Sequence, residues 1–114
     1  MKVTGFVIHQ SACASINGKG YDFFVTKEGV IIPAAEPTEP SGPLHICIEG
    51  DFANDDGLGD PQVHEQLFAA AKLIAGCAEA LGVDGAALSP HREGCPGARF
   101  PWAKLVLSRP DRYH

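Results

Sequence analysis

The sequence predicts an α/β (α+β) domain with a central mixed β-sheet flanked by helices, and three observations carry that expectation. Runs rich in β-formers recur at Lys2–His9, Tyr21–Thr26, Val30–Ile32 and Leu44–Phe52. One long stretch from Pro61 onward instead repeats its apolar residues at helical spacing. Gly and Pro, 13 and 9 in number, punctuate the intervals between these runs. A chain of 114 residues suffices for one core and leaves no room for a second, so residues 1–114 are read as a single domain.

KVTGFVIH is a strand that breaks at QSACASINGKG, which places His9 at its carboxyl end. YDFFVTKEGVIIP reads as a hairpin turning through Lys27-Glu28-Gly29. AAEPTEPSGP, residues 34–43, is a Pro-rich surface loop. LHICIEGDF is so continuously apolar that it is expected at the centre of the sheet, buried on both faces. The loop NDDGLGD then leads into the clearest element. Asp60 can cap a helix whose first position suits Pro61, and Val63, Leu67, Ala70, Ile74, Cys77 and Leu81 form one apolar stripe before Gly82 ends it. GAALS leads to His91, and PWAKLVLS is a last short helix or an apolar closing segment.

Acidic residues outnumber basic ones by 14 to 9, so no basic footprint for nucleic acid or anionic lipid is present. No apolar run approaches the roughly 18 residues that a membrane span needs. The opening MKVTGFVIHQSACASI is interrupted by His9 and Gln10 before it reaches signal-peptide length, and is read as a mature strand of a soluble protein. Without an export signal, the four cysteines are expected as thiols or metal ligands rather than as two disulfides.

The pattern His-x-x-x-Cys occurs twice, as His9/Cys13 and His91/Cys95. Imidazole and thiolate suit zinc, and spacing alone leaves three readings open. Both pairs could close a structural Cys2His2 site; three ligands could leave a fourth position to water; or no metal is bound. Cys47 and Cys77 fall on apolar faces and are read as core residues. His64, in the first turn of the helix, is expected in solvent, and Trp102 is expected to pack.

VIHQSA, GYDFFVTKEGVI, HICIEGDF, the long helix and HREGCPGARFPW, in that order, resemble the N-acetylmuramoyl-L-alanine amidase family that includes phage amidases and peptidoglycan recognition proteins. The resemblance runs over nearly the whole chain. It implies a zinc hydrolase acting on the amide between N-acetylmuramic acid and L-alanine, with Zn2+ as cofactor and peptidoglycan or a muropeptide as partner. The family's ligands fall on His9, His91 and Cys95, and its oxyanion-stabilising tyrosine on Tyr21. Cys13 is outside the family pattern, which favours an open site. A second branch of the family has Asp as third ligand and Glu where this chain has Cys47, so the chain is similar to the tyrosine-and-cysteine branch.

There are departures from the pattern. The family's helix between the first histidine and the tyrosine is missing. The spacing from His91 to Cys95 is shorter than usual, which puts Glu93 where the family carries a Lys or Thr, and makes Glu93 the candidate base. His45 replaces a glycine and is a candidate for lining the substrate pocket. The alternatives that remain are a muropeptide-binding module of the same fold without catalysis, and a protein with a structural Cys2His2 zinc. A cytoplasmic location, or release to the wall by a non-classical route, is the matching expectation.

Overall fold

The computed structural model describes residues 3–12, 21–34, 42–91 and 94–106. Five strands form one mixed sheet: β1 (Val3–Gln10), β2 (Phe23–Val25), β3 (Ile31–Pro33), β4 (Gly42–Ile48) and β5 (Leu88–Pro90), in the spatial order β3-β2-β4-β1-β5. β2 and β3 are antiparallel, as a short hairpin requires, whereas β1–β4, β1–β5 and β2–β4 are all parallel. A parallel neighbour has to be reached by a crossover. The helix α1 (Pro61–Leu81) lies in the crossover from β4 to β5, which carries the chain past β1 to its other side.

The start and stop of α1 follow from local chemistry. Asp60 is extended, and its side chain accepts from the N–H of Gln62 at 2.9 Å. Pro61, which has no N–H to donate, occupies the first turn. Gly82 takes the left-handed conformation at φ 69° and donates to the carbonyl of Ala78. The buried face of the helix is Gln66, Leu67, Ala70, Ala71, Ile74 and Ala78. It packs on Phe6, Ile8, Val25, Ile46 and Ile48 of the sheet, with Phe52, Phe100 and Leu105 closing the core. The buried face thus ends at Ala78, one turn short of the expected Leu81. Leu81 is 47% exposed, because the cap at Gly82 turns the chain away before that last turn reaches the core.

β4 lies between β2 and β1, and its second half, Ile46, Cys47 and Ile48, is fully buried on both faces. The surface loop expected through residue 43 ends sooner, since Gly42 and Pro43 already belong to β4, where Gly42 pairs with Val3. Residues 35–41 lie outside the described residues, as do 13–20, the stretch on which the expected loss of a helix between His9 and Tyr21 falls. Cys77 is half-buried and packs against the core instead of lying within it. The closing segment forms a short 3-10 turn at Trp102–Leu105, with the Trp102 ring set edge-on to Phe100. Among the described residues, no helix is long and apolar enough to cross a membrane.

Candidate metal centre

Strand alternation sends Phe6 and Ile8 into the core beneath α1, which leaves His9 facing the opposite side of the sheet. The register then decides its neighbours. His9 pairs with Cys47 of β4, and Ile8 pairs with Pro90 of β5, so His91, the next residue after β5, arrives beside His9. The N–H of His91 donates to the carbonyl of Ile8 at 3.2 Å, continuing the ladder by one step. The His9 and His91 rings lie 4.4 Å apart, centroid to centroid.

Cys95 is brought back to the same place by a clamped loop. The side chain of Gln10 accepts from the buried N–H of Phe52 at 2.7 Å and donates to the carbonyl of Gly94 at 3.1 Å. One carboxamide therefore ties the end of β1 to the segment after β4 and to the residue preceding Cys95. Gly97 lets the loop lie flat on that segment: its φ is +120°, and an added Cβ would fall 2.7 Å from the Ala53 nitrogen and onto the Phe52 carbonyl. The N–H of Arg99 donates to the Phe52 carbonyl at 2.9 Å on the same seam. The Cys95–Pro96 peptide is cis.

His9, His91 and Cys95 thus each offer a ligand atom, all within 4.8 Å of one another. His9 and Cys95 are buried and His91 is half-buried. Two observations show that this set fits a metal ion. Two imidazoles and a thiol are zinc's preferred donors. In addition, His9 Nδ1 is buried without a hydrogen-bond partner, while Nε2 of the same ring lies 2.9 Å from His45 Nδ1. A buried polar atom left unpaired is costly. A cation beside Nδ1 removes that cost.

The electrostatics favour a neutral ring at His9. Burial, then the neighbouring His91 and His45, push its pKa down from 6.5 to about 4, against a smaller opposing pull from Asp22. No proton therefore has to be displaced from His9 at neutral pH before it can act as a ligand.

The remaining sequence candidates fall in different places. His45 is half-buried in β4, and its backbone exchanges hydrogen bonds with Asp22: the His45 N–H donates to Asp22 Oδ2 and the Asp22 N–H donates to the His45 carbonyl, both at 2.7 Å. Tyr21 stands one residue before Asp22 with its ring 5.5 Å from that of Phe24, the residue paired with Cys47. Glu93 and Cys13 lie outside the described residues. His64 is exposed, with Nε2 2.8 Å from the Leu58 carbonyl. Sequence reasoning missed Gln10 and Asp22. Each adjoins a residue that had been singled out, but their partners come from distant segments that no local pattern reveals.

No family model and no curated protein matches the sequence. Two solved structures are similar: the endolysine N-acetylmuramoyl-L-alanine amidase LysCS and the N-acetylmuramoyl-L-alanine amidase LysC, both from Clostridium intestinale URNW. Each superposes with a TM-score of 0.64 at 18% identity over 92% of this chain. The match covers 82% of the first and 83% of the second. At that identity the likeness establishes a shared fold.

Two outcomes are expected from this geometry. Gln10→Ala leaves the Phe52 N–H buried and unpaired, so urea denaturation should show a loss of about 1–3 kcal/mol, with weakened zinc binding as the Cys95 loop is released. For pH, the unfolded chain takes up a proton at His9 near 6.5 while the folded chain resists until about 4. His9 thus contributes stability that is fully present above 6.5 and lost as pH falls toward 4. The urea midpoint of the metal-free protein should drop across that window, and drop less in His9→Gln; equal drops in the two proteins would contradict the assignment.

Proposed function

We propose that this chain is a zinc-dependent amidase that hydrolyses the bond between the lactyl carbonyl of N-acetylmuramic acid and the nitrogen of L-alanine in peptidoglycan or muropeptides. The observation that carries the reading is the cluster of buried His9 and Cys95 with half-buried His91 at one end of the parallel strands, on a fold shared with two N-acetylmuramoyl-L-alanine amidases.

His9, His91 and Cys95 would hold the zinc, His9 as a neutral ring and Cys95 as a thiolate. Zinc in such a site supplies Lewis-acid polarisation of a carbonyl and a water whose pKa is lowered to about 7. Tyr21 is the group proposed to donate its phenol O–H to the oxyanion as hydroxide adds to the carbonyl carbon. Glu93 is the candidate to take the attacking water's proton and return it to the alanine nitrogen as the C–N bond breaks. Burial of His9 and Cys95 keeps competing water away from the ligand side of the cluster.

A purified muropeptide should release its stem peptide with a free alanine amino group. A chelator should abolish the release, and His91→Ala should reduce it at least about 100-fold, more than loss of an outer-shell partner does. Tyr21→Phe should lower kcat by about 100- to 1,000-fold, as removal of one oxyanion donor does. One zinc per chain should survive Cys13→Ser. Its loss would mark a closed Cys2His2 site, and an intact muropeptide in the presence of fully zinc-loaded protein would overturn the amidase reading.

A further inference from the structure

The contact between His9 and His45 is the strongest unexplained polar interaction in the described structure. His9 Nε2 and His45 Nδ1 are 2.9 Å apart, with ring centroids separated by 5.1 Å. One of these nitrogens must carry the shared hydrogen. If it belonged to His45, a neutral His9 would carry its own proton on Nδ1, as a buried donor with no acceptor. If it belongs to His9 Nε2, then Nδ1 holds a lone pair, and the atom without a hydrogen-bond partner becomes a free ligand atom. Only the second arrangement leaves no buried N–H orphaned.

We propose that His45 is a positioning residue: its Nδ1 accepts from His9 Nε2–H, which holds His9 in a single tautomer with Nδ1 unprotonated and free to bind the ion. This rests on the reading of His9, His91 and Cys95 as a metal site. The scaffold is arranged to keep the acceptor in place. The His45 backbone is fixed on both sides of its peptide by Asp22, whose carboxylate takes the His45 N–H and whose own N–H goes to the His45 carbonyl. On the other flank β4 is held in parallel register to β1, His45 against Val7 and Cys47 against His9, so residues 45 and 9 approach diagonally on one face. Metal-bound histidines generally need such an outer partner, which orients the ring and raises its basicity. Here that partner is a second histidine acting as acceptor, not the more usual carboxylate or carbonyl.

The test reads the tautomer directly and the metal separately. In the metal-free wild type near neutral pH, long-range proton–nitrogen correlation spectra of the imidazoles should show His9 as the Nε2–H tautomer alone. His45→Leu fills similar space without an acceptor; it should show mixed tautomers at His9 and bind zinc about 10- to 100-fold more weakly in chelator competition. His45→Asn offers Oδ1 in roughly the place of the lost Nδ1 and should recover most of that affinity, which a merely space-filling role for His45 would not produce. Wild-type His9 protonated on Nδ1, His45→Leu binding zinc as tightly as wild type, or wild type taking up no zinc would each overturn the proposal. Muropeptide cleavage enters none of these readouts. A protein that holds zinc with the expected tautomer and cleaves nothing overturns the amidase and leaves the role of His45 standing. Normal cleavage beside an indifferent His45→Leu does the reverse.

Discussion

A slip of one residue between β1 and its two parallel neighbours would turn Phe6 and Ile8 out of the core and His9 into it. It would also separate His9 from His91, since the two meet only because Ile8 is paired with Pro90. The register of β1 against β4 and β5 is therefore at once the condition for the core and the condition for the candidate metal centre. The apolar face enforces it. Phe6, Ile8, Ile46 and Ile48 have one arrangement in which all are covered by Leu67, Ala70 and Ile74, and the polar face opposite inherits its alignment from that packing.

Cys95 lies beyond β5, where only an isolated β-bridge and not a strand holds the backbone. Polar groups acting across long sequence separations add to that hold. Gln10 joins Phe52 and Gly94, and Gly97 allows backbone to lie against backbone where any side chain would intrude. Gln66 plays a comparable part on the helix, its amide donating to the carbonyls of Val25 and Glu49 where β2 and β4 end. In each case a buried carboxamide hydrogen-bonds to main-chain groups at the ends of the sheet. Two buried side-chain atoms among the described residues have no hydrogen-bond partner, Gln66 Oε1 and His9 Nδ1, and of these only the His9 nitrogen lies in a ring whose other nitrogen is engaged by a second histidine, His45.

The fold was largely legible in the sequence because its signals are local. Asp60, Pro61 and Gly82 mark the ends of α1 by capping chemistry that involves only their immediate neighbours. The hairpin of β2 and β3 is announced by Lys27-Glu28-Gly29 between two β-rich runs, and Gly29 takes a positive φ of 82° in that turn. Where expectation and structure part, as at Leu81 or Gly42, the cause is the reach of the core or of the sheet, which periodicity does not encode. At the site, His9, His91 and Cys95 were singled out by residue type and by resemblance, and the fold brings all three together. The bond from His45 to His9, the anchoring of His45 by Asp22 and the clamp at Gln10 were invisible, since each joins residues far apart in the chain.

By itself, then, the sequence determined the one long helix with its caps, the β-rich runs, a central strand within Leu44–Phe52 and the residue types capable of holding zinc, all properties that short-range sterics and periodicity express. The order of the strands, the parallel register that sets His9 beside His91, and the tautomer-fixing contact of His9 with His45 were decided only by the tertiary structure. The physical reason is that strand partners and buried hydrogen bonds are selected by the simultaneous burial of both faces of the sheet, a condition set by the whole chain and not by any stretch of it.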